Sequence, residues 1–410
     1  MSTNEYLMRM LFTILQRLVV AHQFGNSTRG CTSLQMSNMK IVALTSVSSP
    51  YIVARYSTFA IKFPANSLYL IELGRTSTTY QWQLVELAVP YERVVLSDQP
   101  AEFQSTLSLS TILLKALNQI QPDLVVTCGY GVRGMLVPLF WSLLHRKPAI
   151  LLSDSKEDDA PRSGWREALK SWIAQRYQAA LVAGQPQKRY LIKLGIAPEA
   201  IFLGYDVVDN EAFHPDKIKS LPAPLEQRYF LAINRFIPKK NLLFLISSYA
   251  TYYQAAGAEA WHLVLCGDGQ LRPQIEQQIT ELGLKDLVHL PGFLQQDELL
   301  PYFAHASCFI HASLQEQWGL VVNEAMAAGL PVLVSNRCGC FEDLVSEGVN
   351  GFGFDPEDSQ QLIDLMLKVS LGKVDSVKLG QAALKHIQKF SPDYFAQGLM
   401  RAVEYALVHR

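Results

Sequence analysis

Little in this chain points to metal, redox or nucleic-acid chemistry. Its 410 residues hold six cysteines (31, 128, 266, 308, 338 and 340), and no two form a Cys-x-x-Cys pair. Cys338 and Cys340 enclose a single residue, a poor spacing for a dithiol or a zinc knuckle. Three of the others sit inside apolar runs, where a buried thiol is the plain expectation. That usage fits a reduced, cytoplasmic compartment. None of the nine histidines stands in an H-x-x-x-H or similar ligand spacing. Lys plus Arg number 36 against 37 Asp plus Glu, a net charge of −1, so no basic excess tracks a phosphate backbone and no nucleic acid is expected as partner. The apolar stretch 6–20 is broken by Arg9 and Arg17; it falls short of the about 20 residues that span a bilayer. It also lacks a clean cleavage site for a signal peptide. Residues 1–38 are therefore read as an appendage, with an amphipathic membrane-surface helix as the alternative.

What is present is a large core: 49% hydrophobic against 18% charged residues, which excludes wholesale disorder. From Met39 short β-rich runs alternate with longer helical stretches. Strands are expected at 41–47, 68–73, 92–97, 123–128, 148–154 and 179–184, and again at 229–234, 262–267, 287–292, 308–313 and 331–336. Such alternation predicts parallel sheets wrapped by helices. Between the two series, residues 206–226 are polar and carry Pro215, Pro222 and Pro224, a linker composition. The expectation is an α/β protein of two doubly wound, Rossmann-like domains, 39–205 and 227–388, facing a central ligand cleft. In residues 389–410 Ser391 is placed as an N-cap before Pro392, and Phe395, Leu399, Val403 and Leu407 form a stripe at a spacing of four.

The most informative segment runs from Glu316 through Gly319, Leu320, Val321 and Glu324 to Pro331. Glu316 belongs to the loop after a strand, where its carboxylate can take a sugar hydroxyl. The N–H groups around Gly319, Leu320 and Val321 open a helix and suit a phosphate. Glu324, early in that helix, can accept from a ribose diol. Two glutamates seven residues apart are on their own no more than a favourable helix start. The full string, ending in AMAAGLPVLVS, is far more specific.

That segment resembles the signature of the retaining glycosyltransferases of family 4, the group 1 transferases with the GT-B fold. The resemblance runs from Met39 over most of the chain and is strongest over 229–356. It implies two Rossmann-like domains and a final helix that crosses back onto the first. It also implies metal-independent transfer of a hexosyl or related group from a nucleotide-sugar to an acceptor hydroxyl. Arg235 and Lys240 match the family's pair that grips the donor diphosphate, Gly267 and Gly269 its turn near the nucleotide, and Phe293 the loop that reads the base. The family places an acidic residue or a His near the donor sugar, which points to Asp154 first and Asp158 second. Tyr51 and Arg55 follow the first strand, where many relatives carry a glycine-rich loop, and are acceptor-side candidates. Cys338-Gly339-Cys340 departs from the Gly-Gly of many relatives. No cofactor beyond the donor is implied, and no metal: Arg235, Lys240 and a helix N-terminus can neutralise a diphosphate.

The partners implied are a nucleotide-sugar and a sugar, lipid-linked or other hydroxyl acceptor, in polysaccharide or glycolipid synthesis. Such an enzyme works in the cytoplasm, in some cases at the inner membrane face. Arg162, Arg166, Lys170 and Arg176, with Trp165 and Trp172, dress one helix either for anionic lipid or for solvent. Two other functions compete. Gly129-Tyr-Gly131-Val-Arg-Gly134 is a literal G-x-G-x-x-G, with Asp154 25 residues after Gly129, and alone would read as an NAD(P)-binding oxidoreductase. It follows the fourth strand, whereas the dinucleotide fingerprint belongs to the first. The other is a non-catalytic nucleotide-sugar-binding protein.

Overall fold

The computed structural model describes residues 38–77, 88–131, 134–159 and 162–409. Residues 1–37 of the N-terminal extension lie outside them. Two sheets organise the rest. The first holds β1 (Lys40–Thr45), β2 (Ser67–Glu72), β3 (Glu92–Val95), β4 (Leu124–Cys128), β5 (Ala149–Ser153), β6 (Ala179–Val182) and β7 (Ile201–Leu203), in the order β3-β2-β1-β4-β5-β6-β7. The second holds β8 (Tyr229–Ile233), β9 (His262–Cys266), β10 (Val288–Gly292), β11 (Cys308–His311), β12 (Val332–Ser335) and β13 (Gly351–Phe354), in the order β10-β9-β8-β11-β12-β13. Every pairing is parallel. The central strands are accordingly apolar on both faces, because helices cover both: Ile41 to Leu44 and Leu124 to Val126 are fully buried.

Two strands escape the hydrophobic pattern. β7 is three residues long. β13 reads GFGF, and a Cβ on Gly351 would lie 2.3 Å from the Val332 carbonyl oxygen, so glycine stands there for close approach of two strands. The segment 206–226 is also more structured than its polar, proline-rich composition suggests. It forms short helices at Asn210–Phe213 and Pro215–Ile218, and buries Val207, Val208, Phe213 and Ile218. Asn210 Nδ2 donates to the Ile387 carbonyl at 2.9 Å.

The closing helix, Pro392–Val408, lays Phe395, Leu399, Val403 and Leu407 against the helix Pro50–Lys62, in one buried cluster with Tyr56 and Phe59. Phe395 meets Tyr56 edge-on, centroids 5.2 Å apart. Among the described residues no helix is long and apolar enough to cross a membrane.

Each strand order reverses once, between β1 and β4 and between β8 and β11. At such a switch point the loops on either side part, leaving a crevice beyond the carboxyl ends of the strands. In the second sheet the crevice is bounded by residues 234–241 and 312–319, the two loops that carry most of the candidate residues.

Candidate active site

The loop leaving β8 is held by backbone contact. Phe236 N donates to Asp268 O at 2.7 Å, Leu271 N to Phe236 O at 3.0 Å, and Gly267 N to Gly292 O at 2.7 Å. Gly267 has φ +133°, and a Cβ there would sit 1.8 Å from Asn234 O; at Gly269, φ +150°, it would sit 2.8 Å from Phe236 O. Both glycines let one main chain lie directly on another. Their effect on a ligand is indirect: they seat the loop that presents exposed Arg235. Lys240 ends the short turn Pro238–Lys240 and is buried. Leu314 N donates to Lys239 O at 2.9 Å, tying this loop to the one after β11.

Glu316 sits where the two loops meet. The Lys240 ammonium pairs with its Oε2 across 76 residues of sequence. His311 Nε2 lies 3.3 Å from the same oxygen and Ser313 Oγ 3.4 Å, while Lys239 Nζ is 3.9 Å from Oε1. Burial works to raise the Glu316 pKa; the His311 hydrogen bond and the Lys240 charge outweigh it and hold the carboxyl well below the usual range. Glu316 is therefore a carboxylate at every physiological pH. An ammonium has three donors, so Lys240 keeps others for a phosphate.

Gly319, φ +110°, caps the helix Leu320–Ala327, whose first turn puts the N–H groups of Leu320 and Val321 at the crevice. Glu324 is 4% exposed, and Tyr51 Oη donates to its Oε1 at 2.6 Å. Tyr51 opens the helix after β1, so this bond joins the crevice of one sheet to that of the other. Burial pushes the Glu324 carboxyl up to about 7, with the Tyr51 bond pulling the other way.

The remaining candidates fall into different places. Asp154 directly follows β5 and accepts from Gln317 Nε2 at 3.4 Å; burial, then the neighbouring Asp206, push it up to about 7. Arg55 does not face the cleft: it is 3% exposed, with Nε on Val207 O at 3.0 Å and Nη2 on Asp206 Oδ1 at 3.2 Å. Asp158 is paired with Lys156 at 2.5 Å and lines a hollow with Arg189, Arg337 and Glu342. Phe293, 39% exposed, follows β10. In the Gly129–Gly134 loop residues 132 and 133 lie outside the described residues. A Cβ on Gly134 would press on the Leu109 side chain at 2.9 Å, which makes that glycine a packing residue. Of the basic helix residues, Lys170 pairs with Glu167 at 2.8 Å, and Arg162 and Arg176 lie over the rings of Tyr190 and Trp172.

Three features carry no local sequence signal. One is His311. The second is the clamp on the Glu316 loop, where buried Gln187 donates to Gln317 O at 2.6 Å and Gly339 N to Glu316 O at 3.0 Å. A Cβ on Gly339 would lie 1.7 Å from Gln317 O, so the glycine between the two cysteines is fixed by contact. The third is the tie between sheets, in which Arg189 meets Glu342 through two bonds of 2.7 and 2.6 Å.

Residues 213–386 match the family described as "Glycosyl transferases group 1". Over 246 residues, 58% of this chain and 56% of the relative, the chain is 29% identical to the amylovoran biosynthesis glycosyltransferase AmsK of Erwinia amylovora. It is also 29% identical, over 73% of its length and 58% of the relative's, to the sulfoquinovosyl transferase of Arabidopsis thaliana. These matches span somewhat more than half the length of each relative. Among solved structures, HepE of Anabaena in complex with UDP and glucose superposes with a TM-score of 0.68 at 21% identity, covering 90% of this chain and 100% of that one. Sucrose-phosphate synthase of Thermosynechococcus elongatus does so with a TM-score of 0.71 at 17% identity, covering 91% and 100%. The chain has the GT-B fold, and its residues 213–386 match the group 1 glycosyl transferases.

Proposed function

We propose that this protein transfers a hexosyl or related group from a nucleoside-diphosphate donor to an acceptor hydroxyl with retained anomeric configuration, as a family 4 glycosyltransferase. The observation that carries this is the pairing of Lys240 with Glu316 beside a helix N-terminus at one switch point, on the loop that also carries Arg235, with Glu324 a helical turn away. Similar proteins support the donor and product classes: HepE holds UDP and glucose, and AmsK serves amylovoran biosynthesis.

Arg235 offers the diphosphate a planar fork and Lys240 a point charge, while the first turn of the helix supplies N–H groups. All are in place before the reaction, so the charge that grows on the leaving group meets fixed donors. These cations do the work a metal would otherwise do. Glu316 accepts a hydroxyl of the donor sugar, and Glu324 the ribose diol. As the bond from the anomeric carbon to the diphosphate breaks, the acceptor oxygen bonds to that carbon on the same face. Its proton passes to the departing diphosphate oxygen. Asp154 stands on the acceptor side. The acceptor belongs to a growing polysaccharide or a glycolipid, handled in the cytoplasm at the inner membrane face.

The test is turnover of a panel of UDP-, GDP- and ADP-sugars, followed as nucleoside diphosphate release with the product anomer read by proton NMR. One donor is expected to be consumed, releasing its sugar in the donor's own configuration. An inverted product, or a panel left intact, contradicts the proposal.

A further inference from the structure

His311 lies at the end of β11, fully buried, with its ring near-parallel to that of Phe309 at 6.3 Å. Nε2 is 3.3 Å from Glu316 Oε2 and 3.2 Å from Ser313 Oγ, whereas Nδ1 is buried with no hydrogen-bond partner. Two neutral tautomers are conceivable. With the proton on Nδ1, a buried donor is left unsatisfied, and a bare Nε2 lone pair faces a carboxylate oxygen. With the proton on Nε2, the N–H donates to Glu316 and only an acceptor goes unused. The second arrangement is the cheaper one, since an unmet buried N–H costs its full desolvation. The charged groups facing the ring are Glu316, Lys240 and Lys239. Burial, aided by the two lysines, keeps His311 below its ordinary pKa against the pull of Glu316, so the ring is neutral.

We propose that His311 is a positioning residue that decides which oxygen of Glu316 meets the substrate: its Nε2–H, with Lys240 and Ser313, anchors Oε2 inward and leaves Oε1 for a hydroxyl of the donor sugar. Oε1 lies on the side of Lys239, whose side chain is 31% exposed against 11% for Lys240. Glu316 thus has one oxygen held by three donors and one held by a single loose contact. A carboxylate tied at one oxygen is held to its task, and that is the use of a neutral donor here: a second full positive charge on Oε2 would compete with Lys240 for the carboxylate. The inference rests on the proposed donor site, and it adds a residue that touches neither donor nor acceptor.

The test compares His311→Gln, whose amide N–H reaches the place of Nε2, with His311→Leu, which keeps bulk and loses the donor. Donor consumption by His311→Leu should fall about tenfold or more, the loss of one hydrogen bond to a charged group, while calorimetric affinity for UDP and GDP stays within about threefold. His311→Gln should recover most of the rate. In the parent chain labelled with nitrogen-15 histidine, the signal missing from His311→Gln should show a neutral Nε2–H ring between about pH 6 and pH 8. A His311→Leu enzyme as fast as the parent, or a ring protonated on Nδ1, overturns the inference. If the parent consumes no donor, the proposed function fails, and the nitrogen-15 spectrum still decides the tautomer.

Discussion

The pair Tyr51 and Glu324 shows what single side chains contribute here. Their bond spans 273 residues of sequence, and it keeps a buried carboxyl supplied with a donor. The folded chain raises the Glu324 pKa to about 7, above its unfolded value, so between those values the folded state binds more protons than the unfolded one. Stability from this group therefore falls as pH rises through that window. Glu324→Gln should remove the dependence. Relative to the parent, the variant is expected to gain stability from about pH 5 to about pH 7, at up to about 1.4 kcal/mol per pH unit. Urea unfolding of the two proteins at both pH values measures it. A difference that stays constant, or shrinks, would show that Glu324 is ionised throughout.

At the scale of elements, the turn after β9 and the loop after β8 act as one unit, because their backbones touch at Gly267 and Gly269. Gly267→Ala puts a methyl where Asn234 O lies 1.8 Å away, which forces the Arg235 loop to move. The expected cost is about 1–3 kcal/mol, together with weaker UDP or GDP binding in calorimetry. Gly131→Ala, where a Cβ meets nothing within 4 Å, is the control and should change neither. An unaltered nucleotide affinity in stable Gly267→Ala protein would separate that loop from the donor. Eleven of the thirteen strands are legible in the sequence, since each is an apolar run bounded by turn residues. β7 is too short to show a pattern, and the glycines of β13 hide it. Glu316 and Glu324 stand out because they share one segment, and Arg235 and Lys240 because they close a strand. His311 passes for an ordinary strand residue. The turn of Arg55 toward Asp206, and of Tyr51 toward Glu324, are pairings over more than 150 residues that no local pattern encodes.

At the scale of the whole molecule, a buried apolar cluster with Ala183, Val208 and Trp318 joins the two halves, and specific polar contacts add to it. Tyr51 meets Glu324, Asp154 meets Gln317, Gln187 holds the Glu316 loop, and Arg189 meets Glu342. The closing helix returns the chain to the first sheet, so the crevice lies between units that are linked at both its loops and its far end. Asp343 belongs to this seam: it accepts from Gln185 N at 2.9 Å, and burial pushes it up to about 6. A cleft closed by such contacts would keep water from a reacting sugar. The proposed roles put Glu316 on the sugar, and Arg235, Lys240 and the helix N-terminus on the diphosphate.

The division of labour around Glu316 is tested most directly by Glu316→Gln, assayed for nucleoside diphosphate release at saturating donor. A carboxylate that holds the donor sugar predicts a rate at least about 100-fold below that of the parent, with UDP or GDP still bound within about threefold of parental affinity. A Glu316→Gln enzyme that consumes donor at the parental rate would contradict it.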